Sequence, residues 1–448
     1  MVGMTRPSAE QRATGVAARE QVPPEVFAAW KAAPDRPDPV GLLEEQSQGR
    51  VPDLVPIRYG RMAASPLSFL RGAALPMAAD LATLPRTGLE VQLCGDAHLG
   101  NFGLFASPER DLVFDINDFD ETRPGPFEWD LMRLSASLLV AARVRGFSAH
   151  DARRAVRAAA ASYRQRIHEY AAMHAIDVYY AKVDAAAIVA FVDRRARPYL
   201  QTTIRAASHH DALHELPKIT TGTGKARRIV DRPPTITHRP ELSQPVVASA
   251  MTGYRDSLQE DRRVLLDRYT LVDVALKVVG VGSVGLAAFV VLLLADPDDP
   301  VFLQVKEAQP SVLGRFLGTS EDEEQGERVV RGQRRLQAVS DILLGWTRGP
   351  GGRQLYVRQL QDAKGSAVVE VMSVEDLTTW GRLCGWALAR GHARSGDPAA
   401  IAAYLGEDDA MDRAMGRFAI AYADQTERDH AALLAAIAAG RITAVTGV

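Results

Sequence analysis

The sequence predicts an α+β fold with two lobes, and three observations on the 448-residue chain carry this prediction. Apolar residues recur at helical spacing through much of residues 51–268. The pattern changes at Tyr269, where β-branched runs separated by glycine and Asp-Pro turns predict strands. Helical spacing returns from Val374 to Ile442, so a β-rich segment lies between two helical ones. A chain of this length can form two lobes with separate cores.

The first helical part begins after a segment of different composition. Residues 1–50 are rich in Ala, Pro, Gln and charge, which predicts a partly flexible lead-in with one short helix near Pro24 to Ala33. The pair Ser65-Pro66 is typical of a helix start, and we expect that helix to reach about Leu84. Further helices are predicted at Glu128–Arg145, Ser148 to about Met173, Asp184–Arg205 and Glu241–Asp267.

A long polar segment, His209 to Pro240, separates the last two of these helices. A loop of this length in a compact protein is usually functional or disordered, so it is either a substrate or lid region or a disordered one. Three of its histidines, His209, His210 and His214, suggest a metal site only weakly, because no carboxylate or cysteine completes a metal-ligand spacing with them.

The β-rich part is assigned to residues 269–363, and residues 364–448 are assigned to helices that return to the first lobe. Three strands follow Tyr269, ending with VFLQVKEA. A helix from Glu323 to Ile342 and a strand, LYVRQLQD, complete this part. The last stretch is predicted to contain at least three helical segments.

Composition excludes several classes of function. A formal net charge of −2 gives no electrostatic argument for a nucleic-acid or membrane partner. Cys94 and Cys384 lie too far apart in sequence to suggest a zinc site or a disulfide framework. The first residues lack the apolar region of a signal peptide, and the longest apolar run is too short to span a bilayer. We therefore expect a cytoplasmic protein, whose oligomeric state the sequence does not indicate.

A short stretch, Leu93 to Leu131, concentrates the polar residues that point to chemistry. Asp96 and Asn101 have the D-x-x-x-x-N spacing of a phosphotransferase catalytic loop, in which the carboxylate accepts a hydroxyl proton and the amide oxygen holds Mg²⁺. Asp118 ends the predicted strand LVFDI, where it could be a second ligand of the metal. Asp130 opens a helix and could brace the loop by accepting backbone N–H bonds. Two further acids, Asp115 and Asp120, are left as possible second metal ligands.

A glycine-rich turn after the first strand of the β-rich part has two interpretations. Its residues Gly280, Gly282, Ser283 and Gly285 fit the pattern G-x-G-x-x-G. A dinucleotide-binding fold would continue into a helix, whereas Phe289 to Val291 favour a strand. A glycine-rich hairpin followed by a strand with one lysine is instead how protein kinases cover ATP phosphates. Lys306, in VFLQVKEA, would then contact the α- and β-phosphates.

These motifs resemble known families. GDAHLGN is similar to the catalytic loop of aminoglycoside phosphotransferases and related kinase-like enzymes, and IND-FD with Asp130 resembles their Mg²⁺-binding Asp and the structural Asp that follows it. From about Val51 onward the chain resembles the bacterial domain-of-unknown-function 2252 family, on motifs such as SPLSFLRGAA, CGDAHLGNFG, NDFDET, VGVGSVG, LQVKEA and ADQTERDHAAL.

The resemblance implies a role for each matching residue. Asp96 becomes the catalytic base, with His98 and Lys306 grouped with it, while Asn101 and Asp118 hold Mg²⁺. The glycine turn becomes the loop that covers the phosphates. An acid on the following helix should pair with Lys306: Glu327 is preferred over its rivals Glu321, Glu323 and Glu324.

The sequence departs from the kinase pattern in two places. Cys94 stands where the first His of the loop is expected, and the glycine turn and Lys306 follow the catalytic loop instead of preceding it. The resemblance therefore implies a protein-kinase-like (aminoglycoside phosphotransferase-like) two-lobe fold that is circularly permuted. The function it implies is phosphotransfer from ATP, with Mg²⁺, to a hydroxyl of a small-molecule acceptor. Three alternatives remain: AMP transfer on the same fold, an ATP-binding scaffold without turnover, and a Rossmann oxidoreductase.

Overall fold

A computed structural model describes residues 8–191, 199, 201–202, 204, 219–239, 244–278, 284–297, 299–318, 324–360 and 365–447. Helices and an antiparallel sheet share the chain, which confirms the α+β class. The helices are α1 (Ala9–Gln21), α2 (Glu25–Ala28), α3 (Pro39–Ser47), α4 (Val55–Ala63), α5 (Pro66–Gly72), α6 (Ala74–Leu81), α7 (Glu128–Val144), α8 (Ala149–Ala171), α9 (Ala175–Tyr180), α10 (Ala185–Phe191), α11 (Gln244–Asp256), α12 (Glu260–Leu266), α13 (Gly314–Leu317), α14 (Gln325–Leu336), α15 (Val374–Ser395), α16 (Pro398–Leu405) and α17 (Ala410–Ala438). The strands are β1 (Glu90–Leu93), β2 (Phe102–Ala106), β3 (Leu112–Ile116), β4 (Arg123–Pro126), β5 (Thr220–Thr221), β6 (Arg228–Ile229), β7 (Ile236–Thr237), β8 (Thr270–Lys277), β9 (Ala288–Leu294), β10 (Pro300–Glu307), β11 (Gly345–Arg348), β12 (Gln354–Gln359) and β13 (Gly365–Ser366).

Five strands that follow Tyr269 form a six-stranded sheet together with β7, which precedes it. Its strand order is β11-β12-β10-β9-β8-β7, and its neighbouring strands are antiparallel. The three predicted strands are therefore confirmed as β8, β9 and β10. Lys306 lies on β10 opposite Tyr356 of β12. The sheet therefore fixes the position of Lys306 relative to the rest of the molecule.

Two small antiparallel sheets hold the polar stretch around Asp96. In the first, β1 pairs with β4, and in the second the order is β13-β2-β3. The loop between β1 and β2 carries Asp96, and Asp118 follows β3 directly. Because β2 and β3 form a hairpin, the end of the loop before β2 and the start of the segment after β3 lie side by side.

Long helices build the main core against these small sheets. α8 packs along α15, and α7 packs against α8 and α17. Fully buried side chains of this core include Tyr163, Phe114 and Trp380, and the rings of the last two meet edge to face with centroids 5.1 Å apart. Within the described residues, no helix is both long and apolar enough to cross a membrane.

The expectation of a flexible lead-in with one short helix is wrong for residues 8–50. Three helices form there, and their apolar residues Phe27, Trp30 and Leu43 are buried. Small residues explain why the pattern looked weak: Gly15 of α1 faces the backbone of Ala400, and a Cβ at that position would lie 2.0 Å from its carbonyl oxygen. Close helix packing through Ala and Gly leaves little amphipathic signal in the sequence.

Other helix boundaries are corrected in detail. Ser65 caps α5 by accepting the N–H of Ser68, as expected, but the helix breaks at Ala73 and restarts as α6. The helix expected from Glu323 to Ile342 is shorter, because α14 ends at Leu336. The region expected as one helix from Glu241 to Asp267 contains α11 and α12. The histidines His209, His210 and His214 lie outside the described residues.

Glu128, at the start of α7, leads to a prediction about stability and pH. Its carboxylate accepts hydrogen bonds from the Thr87 N–H and hydroxyl at 2.9 and 2.8 Å, and burial raises its pKa from 4.5 to about 7. The unfolded chain thus releases this proton at lower pH than the native one, so native stability falls as pH rises from about 4.5 to about 7. Glu128→Gln mimics the protonated form, and we expect it to match the wild type at about pH 4 and to exceed it by about 1–3 kcal/mol at about pH 8.

Urea unfolding at the two pH values measures this difference. Glu109→Gln, at an exposed position, serves as the control and should not change the pH dependence. A Glu128→Gln variant whose stability relative to wild type is the same at both pH values would contradict the prediction.

Candidate active site

The loop between β1 and β2 is held in place by the carboxylate of Asp130. Asp130 accepts the backbone N–H groups of Cys94 and Gly95 at 2.7 and 3.0 Å, which confirms the bracing expected from the sequence. Gly95 has a φ of +85°, and a Cβ there would lie 2.2 Å from the carbonyl oxygen of Glu121. Only glycine fits this turn without strain. The loop therefore presents Asp96 from a fixed backbone.

Asp96 is oriented by its neighbours on two sides. Arg133 of α7 binds its carboxylate, with 2.8 Å between Nε and Oδ1, and also donates to the carbonyl of Leu70. The side-chain amide of Asn101 donates to the backbone oxygen of Asp96 at 2.9 Å. Burial raises the pKa of Asp96, while Arg133 opposes that shift. The second carboxylate oxygen faces His98, whose Nε2 is 3.8 Å away.

His98 is neutral at physiological pH. Burial lowers the pKa of His98 well below its ordinary value, and the positive charges of Arg71 and Arg133 add to the effect. Its Nδ1 accepts the N–H of Gly100 at 3.1 Å, so the ring proton lies on Nε2, toward Asp96. At 3.8 Å, Nε2 of His98 and Oδ2 of Asp96 are too far apart for a hydrogen bond, so His98 lies beside Asp96 as a neutral ring that adds no charge.

Lys306 of the large sheet reaches the acids that follow β3. Its Nζ lies 3.3 Å from Asp120 and 3.7 Å from Asp118. Lys306 and Asp120 are 186 residues apart in sequence. The hydroxyl of Tyr356 donates to the same Asp120 carboxylate at 2.5 Å. Burial alone would lower the pKa of Lys306, but the two carboxylates outweigh it and raise the pKa. Lys306 is therefore a buried cation, held within ion-pair distance of both acids.

The expected partner of Lys306 on the following helix is corrected by these contacts. Glu327 instead pairs with Arg331, one turn further along α14, at 2.6 Å. The adjacent residue, Arg328, turns toward the site and donates to the carbonyls of Thr122 and Asp120 at 2.6 and 2.8 Å. The helix thus contributes a cation that holds the acidic segment, while the segment itself supplies the acid for Lys306. The rivals Glu321 and Glu323 lie outside the described residues, and Glu324 pairs with Arg348.

Asp115 and Asp120 also receive contacts. The Asp115 carboxylate is fully buried in an ion pair with Arg390, with both oxygens 2.8 Å from its Nη2. It also accepts the backbone N–H of Ala338 at 2.9 Å. These contacts saturate Asp115, so it is a structural residue, whereas Asp120 belongs with Lys306.

Most of the glycine turn falls outside the described residues, namely Gly280, Gly282 and Ser283. Gly285 is described and has a φ of +89°, which favours glycine. Its carbonyl accepts the N–H of Val51 at 2.7 Å, and Arg50 donates to the carbonyl of Val284. The end of the turn is therefore fastened to the segment that follows α3.

Two cavities meet at these residues. The wide cavity, of about 460 Å³, lies on the side of Asp96 and is lined by acids, amides and arginines. The narrow cavity, of about 350 Å³, lies on the side of Lys306 and runs under the large sheet. Three residues line both: Arg71, Asn101 and Asp118. A group that moves between the two cavities has to pass these three side chains.

The two predicted metal ligands offer oxygen atoms that suit Mg²⁺. The amide nitrogen of Asn101 is occupied by Asp96, which leaves its oxygen for a ligand, and Asp118 supplies a carboxylate at the same junction. No group of three or more His, Cys, Asp or Glu residues that could hold a metal occurs in the part of the chain that the structure describes. A cation here would need substrate oxygens and water, as Mg²⁺ does when it binds nucleotides.

Sequence reasoning did not assign the polar residues deep in the narrow cavity. Arg358 of β12 is half-buried there and donates to the side chain of Gln304 at 3.1 Å and to the carbonyl of Asn117 at 2.8 Å. Gln304 and Arg358 are cross-strand partners, two residues from Lys306 and Tyr356 respectively. The period of two in a strand could have placed all four side chains on one face.

Comparison with known protein families matches residues 50–436 to the family described as "Uncharacterized protein conserved in bacteria (DUF2252)". The match extends from the segment before α4 into α17 and so includes Asp96, Asn101, Asp118 and Lys306, whereas Glu45, Gln46 and Gln48 of the wide cavity precede it. Comparisons with curated proteins and with solved structures gave no significant match.

Proposed function

The chain belongs to the bacterial family DUF2252, and we propose that it is a Mg²⁺- and ATP-dependent phosphotransferase that acts on a hydroxyl of a small-molecule acceptor. One observation carries this proposal: the amine of Lys306 lies within 3.7 Å of Asp118, although the two motifs are far apart in sequence. A lysine that contacts phosphates and an acid that holds Mg²⁺ must both reach one triphosphate. A large distance between Lys306 and Asp118 would not be compatible with one bound triphosphate.

The order of elements supports a kinase-like two-lobe fold in a circularly permuted chain. The strands β8, β9 and β10, the helix α14 and the strands β11 and β12 follow one another as a nucleotide-covering lobe would. The loop with Asp96 comes first in sequence, and the segment after β3 contacts that lobe through Lys306, Tyr356 and Arg328, among others. Permutation is tolerated where chain ends and loop tips are exposed.

The chemistry assigned to the site is a direct displacement at the γ-phosphorus. The acceptor oxygen forms a bond to this phosphorus while the bond to the β–γ bridging oxygen breaks, and the electron pair leaves with ADP. The acceptor proton passes to Oδ2 of Asp96, while Arg133 holds Oδ1 and so orients the carboxylate. Mg²⁺ held by Asn101 and Asp118 would neutralise phosphate charge. Lys306 would supply a further fixed positive charge to the phosphates.

The wide cavity supports a small polar acceptor. Its wall carries the amides of Gln46, Gln48 and Gln309, and its volume of about 460 Å³ lies in the range of small-molecule sites. Such a lining pairs with hydroxyl and amine groups, which supports an acceptor rich in them.

A second candidate, AMP transfer, is favoured by the charge of the narrow cavity. Its lining includes four cationic side chains, Arg71, Lys277, Lys306 and Arg358, against the acids Asp118 and Glu370. A purine ring needs apolar contacts, whereas Arg358 and Gln304 place polar groups in this cavity. A triphosphate could fill this cavity with its β- and γ-phosphates, which would turn the α-phosphorus toward Asp96.

Labelled ATP separates the candidates. The full-length protein is incubated with Mg²⁺, a low-molecular-weight cell extract and ATP labelled in either the γ- or the α-phosphate. We expect label on a small molecule from γ-labelled ATP, and label from the α-position alone would overturn phosphotransfer in favour of AMP transfer. ATP-dependent thermal stabilisation without product from either label would support a binding scaffold. Binding of NAD(H) without ATP binding would support the oxidoreductase.

A further inference from the structure

Arg71 is an arginine whose charge no acidic side chain of the described chain neutralises by direct contact. It follows Leu70 near the end of α5, and its Nε is buried without a hydrogen-bond partner among the described residues. None of the ion pairs in that part of the molecule includes it. Burial lowers the pKa of Arg71, and the nearby charges of Asp96, Glu370 and Asp118 act in the opposite direction. An arginine keeps its charge in such a place, so its guanidinium is available to bind an anionic ligand.

The position of this guanidinium selects the kind of ligand. Arg71 lines both cavities, together with Asn101 and Asp118, which are the two proposed metal ligands. Its Nε would lie 3.6 Å from a Cβ at Gly100, inside the loop that presents Asp96. Any group passing from the narrow to the wide cavity therefore moves past Arg71.

We propose that Arg71 is a catalytic residue that binds the phosphoryl group during its transfer between the two cavities. The inference rests on the proposed phosphotransferase function. Charge spreads over the three equatorial oxygens of the transferred group in the transition state, and a planar guanidinium can donate to two of them. Elsewhere in phosphoryl-transfer enzymes an arginine of this kind acts from the same chain or from a partner. Here α5 supplies it within the chain.

A transition-state mimic tests the role without knowledge of the acceptor. ADP binding to the full-length protein with Mg²⁺ is measured by calorimetry, with and without aluminium fluoride, which occupies the place of the transferred phosphoryl group. In the wild type we expect aluminium fluoride to tighten ADP binding about 100-fold, as a transition-state analogue should. In Arg71→Ala this tightening should disappear while ADP binding without fluoride is retained. Arg71→Lys should keep a small part of it, because an ammonium cannot make the bidentate contact.

A matched control comes from Arg315, which lines the wide cavity but already pairs with Glu45 at 2.9 Å. Arg315→Ala should keep the full tightening. Added guanidinium should restore part of the tightening to Arg71→Ala, which a merely structural role would not allow. Equal tightening in wild type and Arg71→Ala, or no tightening in wild type, would overturn the role of Arg71. A wild type that binds no ADP at all would instead overturn the proposed function on which the role rests.

Discussion

Asp96→Asn is expected to reduce phosphoryl transfer about 10³-fold, because it removes the only group assigned to accept the acceptor proton. The amide that replaces the carboxylate donates where the carboxylate accepted. Its remaining oxygen can still receive the hydrogen bond that Arg133 now gives to Asp96 at 2.8 Å. The brace from Asp130 to the loop backbone does not involve this side chain. The variant should therefore fold and bind ATP with Mg²⁺ as the wild type does.

Two readouts on the same preparations test this expectation. Transfer from γ-labelled ATP measures the chemistry, and the ATP-dependent shift in Tm measures binding. Asp111→Asn is the control, because Asp111 is an exposed acid of the β2–β3 turn that pairs with Lys182. Transfer at the wild-type rate in Asp96→Asn would refute Asp96 as the base. Absence of transfer in both proteins, with equal thermal shifts, would favour the scaffold alternative.

Local patterns in the sequence were sufficient for several parts of the site. The spacing from Asp96 to Asn101 places both on one loop, and the alternation of VFLQVKEA predicts the strand that carries Lys306. Asp130, at the first turn of a predicted helix, could be expected to accept backbone N–H groups, and it accepts those of Cys94 and Gly95. Each of these inferences depends on residues close in sequence. Periodicity and capping operate over that range.

Contacts between distant segments were beyond such reasoning. The sequence places an acid on the helix after Lys306, but which of two adjacent residues faces the site depends on the rotation of α14. A step of one residue turns a helix by about 100°, so Arg328 points inward and Glu327 outward. The hydrogen bonds from Arg50 to Val284 and from Val51 to Gly285 likewise join segments that no local pattern connects. Tertiary packing decides these choices, and periodicity does not encode it.

Asp115→Ala is the change that we expect to affect stability most. Asp115 is 1% exposed and Arg390 is fully buried, and they form an ion pair at 2.8 Å across 275 residues of sequence. Arg390 also donates to the carbonyl of Leu336 at the end of α14, while its Nε and Nη1 have no hydrogen-bond partner in the described chain. Without Asp115 the guanidinium would remain buried with no carboxylate in contact. Breaking a buried pair in this way costs about 3–5 kcal/mol.

The same loss should reach the candidate site, because Asp115 lies on β3 three residues before Asp118. Its carboxylate accepts the N–H of Ala338, after α14, and thereby ties that helix to the strand that presents Asp118. Urea unfolding of Asp115→Ala measures the cost, and γ-label transfer measures its effect on the site. The double variant Asp115→Leu with Arg390→Met removes both charges and should recover part of the lost stability, since no unpaired ion is left buried. Asp267→Ala, which breaks the exposed pair with Arg255, should change stability far less. A loss in Asp115→Ala no larger than in Asp267→Ala would mean that Arg390 finds another partner or water, and it would contradict the prediction.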